Sequence, residues 1–202
     1  MNYGDREKIA EFYDANYDKF GYCVKSVGWG SEESQVLRFK VLTEIGDLSN
    51  SSICDLGCGF GDLYGHLLKH FPNIEYVGID LSEKLIAEAR RRYPNVLFEV
   101  RDILKEPPSR RFTYVLSSGA LSLKLEGHEE YIREMLEAMM NLSIKGVAVN
   151  FLSSYVDYQL DKNFHFSPER AFTLARTFTK YATLRHDYPL YEFTLYMYRD
   201  FV

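Results

Sequence analysis

The chain has 202 residues, a hydrophobic content of 46%, a charged content of 26% and a net charge of −5. These values fit one globular domain, and the sequence has neither the apolar run of a membrane span nor the basic footprint of a nucleic-acid binder. The three cysteines do not suggest a disulfide framework, and the N-terminus lacks the apolar core of a signal peptide. We therefore expect a cytoplasmic protein that binds neither membranes nor nucleic acid, with its oligomeric state left open.

Two helices are predicted before the first strand. Apolar side chains at spacings of one or four predict a helix over residues 5–20, which Gly21 ends. Ser31, followed by two glutamates, predicts the cap of a second helix that runs to about residue 45. We expect residues 1–45 to form an N-terminal helical cap.

From residue 52 the chain alternates between strands and helices, which indicates βαβ units and a parallel sheet covered on both faces. The predicted strands are 52–56, 76–80, 96–101, 112–118 and 147–152, and the predicted helices are 62–70, 83–93, 128–142 and 168–178. Two further strands, 181–186 and 192–198, lie too close together for a helical crossover and should pair antiparallel. We expect one domain over 1–202, with a core over 46–202 and a lid insertion over 153–166.

The segment 53–63 is the most informative part of the sequence. It places Asp55 on a strand and glycines at positions 57, 59 and 61 in a turn before a helix, so that a ligand can approach the backbone closely. The third glycine comes one position too early for the dinucleotide fingerprint, and Asp62 stands where that glycine belongs. A carboxylate there repels a pyrophosphate, so the turn favours S-adenosylmethionine over NAD.

Acids also stand at the ends of the next two predicted strands. Asp80 closes the second strand and can accept hydrogen bonds from both hydroxyls of a ribose, and Asp102 follows the third strand and can accept from an adenine amino group beside Ile103. Ser118 and Gly119 close the fourth strand with small residues that let the backbone approach the same ligand.

With these motifs, the chain resembles the class I S-adenosylmethionine-dependent methyltransferases over about residues 30–200. The resemblance rests on the glycine motif 53–61, the ribose motif 77–82, the adenine motif 101–103 and the final hairpin. It implies a three-layer, Rossmann-like α/β fold with a seven-stranded, mostly parallel sheet, an antiparallel last strand and a helical lid. Thr113 departs from the family pattern, because many relatives carry an acid at this position.

The resemblance also implies residue roles. Gly57 and Gly59 would pass under the methionine moiety, Asp80 would hold the ribose, Leu81 would pack on the adenine, and Asp102 would bind its amino group. Asp55 would orient the loop. The full set assigned to cofactor binding is Gly57, Cys58, Gly59, Asp80, Leu81, Asp102, Ile103 and Ser118.

Further candidates lie outside these motifs. Trp29, Gln35 and Arg38 could cover the methionine carboxylate, with Arg38 as a bidentate partner, or they could be ordinary packing and surface residues. We expect the aromatic segments 8–29 and 153–166 to enclose the transferred methyl group. The catalytic candidates are Tyr17 and His165.

We expect no metal site. His66 and His70 have the spacing of helical metal ligands, but no third ligand accompanies them in the sequence.

The sequence thus predicts transfer of a methyl group from S-adenosylmethionine to a small-molecule acceptor. Two alternatives stay open: an NAD oxidoreductase, which the glycine spacing disfavours, and a non-catalytic methyltransferase-like subunit that binds the cofactor or a partner.

Overall fold

The computed structural model describes the backbone of residues 3–200 and the side chains of residues 7–200, so both ends of the predicted 1–202 domain lie outside the described residues. Within that range the helices are α1 Tyr3–Phe20, α2 Glu32–Thr43, α3 Asp62–His70, α4 Glu83–Arg92, α5 His128–Leu142 and α6 Pro168–Phe178. The strands are β1 Ser52–Leu56, β2 Glu75–Asp80, β3 Leu97–Val100, β4 Phe112–Ser117, β5 Ser143–Leu152, β6 Tyr181–Arg185 and β7 Glu192–Tyr198.

The seven strands form one sheet in the order β3-β2-β1-β4-β5-β7-β6. The first five strands pair parallel, and β7 pairs antiparallel with both β5 and β6. The predicted three-layer, mostly parallel sheet with a reversed last strand is therefore confirmed. Because the order changes direction at β1 and β4, the carboxyl ends of these two strands border a crevice where ligands of open α/β sheets bind.

Both faces of the sheet are covered by helices. Successive β1 residues point to opposite sides, so that Ile53 packs in the cluster formed with α2, α3 and α4, while Cys54 packs in the cluster formed with α5 and α6. Each face therefore has its own apolar core, and the strands are buried on both sides as in other parallel sheets.

The structure corrects two predicted boundaries and adds one element. Strand β5 begins at Ser143, four residues earlier than predicted, because Ser143 already pairs with Phe112 of β4. Helix α2 ends at Thr43, whose hydroxyl donates to the carbonyl of Phe39 at 2.8 Å. The loop before α2 contains an unpredicted 3₁₀ turn, Val24–Val27.

Helix α1 lies against α4 and is held there mainly by polar contacts. The hydroxyl of Ser82 donates to Asp14, and the hydroxyl of Tyr17 donates to Glu88 at 3.3 Å. Further along the helices, Asp18 pairs with Lys84. These contacts place the inner side of α1 over the carboxyl ends of the central strands.

None of the helices in the described range has the length and apolar character needed to cross a membrane. Residues 7–200 also contain no cluster of three histidine, cysteine or acidic side chains arranged for a metal ion. Cys23, Cys54 and Cys58 are all free thiols.

Candidate functional site

The turn after β1 is shaped by its glycines. Gly57 has a φ of 71°, and a Cβ atom there would lie 2.2 Å from the Cβ of Ala120, so that only glycine fits. The amide groups of Gly57 and Cys58 donate to the carbonyl of Ile79 on β2, at 2.8 and 3.1 Å. The turn is thus fixed to the neighbouring strand and brings bare backbone to the edge of the sheet.

Asp80 joins this turn to the end of β2. One carboxylate oxygen accepts from the amide of Gly59 at 2.9 Å, and the other accepts from the amide of Ser82 at 2.9 Å. Burial raises the pKa of Asp80, and these amide hydrogen bonds oppose the rise. Because each carboxylate oxygen has a second lone pair, Asp80 can hold the loop and still accept from a ligand.

Asp102 and Ile103 follow β3 at the same edge of the sheet. One carboxylate oxygen of Asp102 accepts from the amide of Leu104 at 3.0 Å, which fixes the side chain beside the buried Ile103. A carboxylate next to an apolar side chain can bind the polar edge of a flat ring that packs on that side chain.

The loop after β4 completes this side of the site. Asn150 of β5 is buried and accepts from the amide of Gly119 at 2.8 Å, and its side-chain nitrogen lies 3.5 Å from the hydroxyl oxygen of Ser118. Gly119 has a φ of 75°, and a Cβ atom there would lie 2.0 Å from the outer ring of Trp29. The loop is therefore held by its hydrogen bond to Asn150 and packs against the ring of Trp29.

One cavity brings these loops together. It encloses about 1010 Å³ of space, a volume that includes the part open to solvent. All eight residues assigned to cofactor binding line it, together with Trp29, Gln35 and Asp55. Its remaining walls come from α1, the 3₁₀ turn, α2 and α5, through Ile9, Tyr13, Val27, Phe39, Tyr131 and Met135.

The chain is similar to known methyltransferases. Residues 53–141 match the family described as "Methyltransferase domain". The Mycobacterium tuberculosis protein "Putative methyltransferase Rv1506c" is 32% identical over 154 residues, which cover 71% of this chain and 90% of that protein. This chain belongs to the class I S-adenosylmethionine-dependent methyltransferases.

Other similarities are narrower or more distant. "Trans-aconitate 2-methyltransferase" of Variovorax paradoxus is 33% identical over 87 residues, only 43% of this chain and 34% of that protein. The magnesium protoporphyrin IX methyltransferase ChlM from Synechocystis PCC 6803, solved with bound SAH, has a TM-score of 0.72 at 16% identity and covers 97% of this chain and 100% of its own. The "DhpI-SAM-HEP complex" has a TM-score of 0.74 at 15% identity, with 97% and 98% coverage. The two solved structures support the fold assignment for this methyltransferase.

The lining residues of this methyltransferase fit the family's cofactor. Gly57 and Gly59 leave bare backbone at the edge of the sheet, and a Cβ atom at either position would lie within 3.3 Å of Ala120 or Val27. An extended ligand can lie over this bare backbone. Asp80 and Asp102 present acceptors at the ends of adjacent strands, beside Leu81 and Ile103, in the order that ribose and adenine require.

Asp55 lies at the bottom of the cavity and does not have a free carboxylate. It is buried, and the hydroxyl of Tyr76 donates to it at 2.6 Å. Burial raises the pKa of Asp55 to about 7, and the hydrogen bond from Tyr76 opposes that rise. This contact joins the side chains of β1 and β2, and the role of Asp55 in orienting the β1 loop stays a prediction.

Neither of the two catalytic candidates lines the cavity. Tyr17 lies on the side of α1 that faces α4, where its hydroxyl donates to Glu88 and its ring centroid lies 5.6 Å from that of Phe60. The ring nitrogen Nδ1 of His165 lies 2.9 Å from the carbonyl oxygen of Ser153 and closes the loop that follows β5.

The structure also corrects Arg38. Its guanidinium forms a bidentate ion pair with Glu192 of β7, and the two residues are only 8% and 3% exposed. The other terminal nitrogen of Arg38 donates to the hydroxyl of Ser34 at 3.3 Å, so the guanidinium is directed toward Glu192 and Ser34 and does not line the cavity. Arg38 instead packs on Trp29, with its guanidinium carbon 4.1 Å from the ring centroid.

The segment 153–166 does not line the cavity. It packs beside the loop after β4, where the amide of Phe164 donates to Ser122 and the ring of Phe164 stacks on His128 at 4.1 Å. The ammonium of Lys162 lies 5.7 Å from the ring of Phe12 on α1. The segment therefore contacts α1 through Lys162 and does not form the cavity wall that was predicted for it.

Sequence reasoning missed several lining residues, above all Tyr13, Tyr131 and Met135. Tyr13 belongs to the same apolar stripe as Tyr17, and only the docking of α1 decides which of the two faces inward. Burial, together with the charge of Asp80, raises the pKa of Tyr13 to about 12. Tyr13 therefore keeps its proton at neutral pH and can donate a hydrogen bond inside the cavity.

Proposed function

We propose that this chain transfers the methyl group of S-adenosylmethionine to a small-molecule acceptor that binds beneath α1. The observation that carries the proposal is the single cavity, which is lined both by the glycine and acid set and by α1, α2 and α5. A ligand on the strand ends and a second molecule under the helices would meet within this cavity.

The roles of the nucleotide-side residues follow from their contacts. We assign Asp80 to the ribose hydroxyls and Asp102 to the adenine amino group, with Leu81 and Ile103 on the faces of the base. Gly57, Cys58 and Gly59 would hold the methionine part through backbone, and Ser118 would close the site after β4. Asn150 positions that last loop.

The activated sulfonium supplies an electrophile that needs little further help, so the protein chiefly aligns the acceptor. The described lining residues include no histidine or lysine, and Tyr13 holds its proton. A general base is needed only if the acceptor must lose a proton, and the lining carboxylates, among them Asp55 with its pKa raised to about 7, are the groups that could accept that proton. Proximity and exclusion of water under α1 then account for the rate.

The three free cysteines support a reducing compartment, and we propose that the enzyme acts in the cytoplasm. The similarity to the trans-aconitate 2-methyltransferase of Variovorax paradoxus covers 43% of this chain and 34% of that protein. It supports the cofactor assignment more than it supports any particular acceptor.

The test has two stages. S-adenosylhomocysteine should raise the melting temperature, because a ligand that binds only the native state stabilises it by mass action, whereas NADH should not. Purified protein should then transfer label from methyl-labelled S-adenosylmethionine to a component of a metabolite extract. Stabilisation by NADH equal to that by S-adenosylhomocysteine would refute the cofactor assignment. Cofactor binding with no transfer to any fraction would instead favour the non-catalytic subunit.

A further inference from the structure

The charges around the cavity are predominantly negative. Its described lining includes four aspartates and a single cationic side chain, Arg101. Nε of Arg101 donates to Glu99 at 3.1 Å, and one of its terminal nitrogens donates to the carbonyl of Glu106 at 3.2 Å. Because Arg101 precedes Asp102 directly, this neutralised cation also belongs to the nucleotide side of the cavity.

A second cation, Arg38, lies next to the cavity wall but does not line the cavity. Arg38 stacks on Trp29, which lines the cavity, while Arg38 itself does not. Its bidentate partner Glu192 is almost fully buried and neutralises its charge. Removal of the carboxylate alone would leave a buried, unpaired guanidinium directly behind the indole ring.

The part of the lining that lies outside the nucleotide motifs is mainly apolar and aromatic. It includes Ile9, Tyr13, Val27, Trp29, Phe39, Tyr131 and Met135, together with the polar side chain of Gln35. A carboxylate that entered this space would lose its hydration and meet no free cation among the described lining residues. An uncharged aromatic or aliphatic group would exchange water for close packing.

From this arrangement we propose that the acceptor subsite selects uncharged, largely apolar molecules, and that Glu192 sets this preference by neutralising Arg38. The proposal rests on the proposed function, because it names the acceptor class of the same cavity. It predicts that polycarboxylates of the trans-aconitate type are poor ligands of this chain. Glu192 is here a specificity-determining residue that touches neither substrate.

The test uses a pair of probes with the same shape and different charge, 2-naphthamide and 2-naphthoate. Each is titrated by calorimetry into the protein saturated with S-adenosylhomocysteine, and again into the protein alone. We expect the amide to bind at least about tenfold more tightly than the carboxylate. Equal affinity, or tighter binding of the carboxylate, would overturn the proposal. Because the second titration needs no cofactor, a failure of the cofactor assignment would be recognised separately.

Glu192→Gln tests the role of the ion pair. It should reduce the preference for the amide at least about fivefold by freeing the charge of Arg38, whereas Glu130→Gln, which removes the exposed partner of Arg133, should leave the preference unchanged. The volume-matched double variant Arg38→Met with Glu192→Leu is a control that removes both charges, so it should fold and retain the wild-type preference. A double variant that prefers the carboxylate would show that Glu192 does not act through Arg38.

Discussion

Replacement of Gly119 by alanine should disturb the wall between the β4 loop and Trp29. Gly119 has a φ of 75°, so an alanine there bears the cost of the left-handed region, about 1–2 kcal/mol. Its Cβ would also lie 2.0 Å from the outer ring of Trp29, whereas ordinary contacts begin at 3.4 Å, so the two atoms must separate by about 1.4 Å. Overpacking of this kind adds about 1–3 kcal/mol. We expect a total destabilisation of about 2–5 kcal/mol.

Gly127 provides the matched control. It has a φ of 65°, and an added Cβ there would meet no atom within 4 Å. Gly127→Ala should therefore lower the free energy of unfolding by the backbone term alone, about 1–2 kcal/mol. The difference between the two alanine variants isolates the contact with Trp29.

Denaturant unfolding of the two variants, followed by far-UV circular dichroism, measures this difference. Trp29→Phe removes the outer ring atoms, so in its presence Gly119→Ala should lose much of its extra destabilisation. A double-mutant cycle of these two substitutions should give a favourable coupling free energy of about 1–3 kcal/mol. Trp29 is the only tryptophan in the chain, and the emission maximum of Gly119→Ala should report its displacement directly. Equal destabilisation by Gly119→Ala and Gly127→Ala, or a coupling energy near zero, would refute the assigned contact.

Three further predictions concern the loops that hold the cofactor. Asp80→Asn should weaken S-adenosylhomocysteine binding by about 2–3 kcal/mol in calorimetry while the protein stays folded; unchanged affinity would remove Asp80 from the site. The pKa of Asp55, raised to about 7 by burial, lets the native state keep a proton that the unfolded chain loses near pH 4, so this group's contribution to stability falls as pH rises from about 4 to about 7. Asp55→Asn should flatten that part of the pH profile of unfolding, and an unaltered profile would contradict the assignment. Asn150→Ala should cost about 1–3 kcal/mol of stability, since it leaves the amide of Gly119 without its acceptor, and should also weaken S-adenosylhomocysteine binding; wild-type affinity would argue against a positioning role.

The sequence could predict the nucleotide side of the site because its signals are local. The turn at 57–61 carries its own glycines, and Asp80 and Asp102 each stand at the end of a strand that the apolar pattern reveals. A parallel sheet then brings these strand ends to one edge, so the residues meet without further information.

The acceptor side could not be predicted in the same way. The pairing of Arg38 with Glu192 joins α2 to β7 across 154 positions, and no local pattern shows that the partner of Arg38 is a carboxylate of this protein. Tyr13 and Tyr17 stand on one apolar stripe, about 6 Å apart along the helix, and the sequence does not say which of them faces the sheet. That choice depends on contacts between helices, such as the one between Tyr17 and Glu88.

Helix α1 is attached to the rest of the domain by side-chain contacts. The Asp18–Lys84 pair lies at the surface, where such pairs contribute about 0–1 kcal/mol. At the cavity, α1 buries Ile9 and half-buries Tyr13, and full burial of one such side chain contributes only about 1.5–3 kcal/mol. The sheet loops, by contrast, are joined by backbone hydrogen bonds to neighbouring strands, such as those from Gly57 and Cys58 to Ile79. The cofactor side is therefore fixed by backbone hydrogen bonds, whereas α1 is held over the acceptor side by side-chain contacts, among them those of Asp14 with Ser82 and Tyr17 with Glu88.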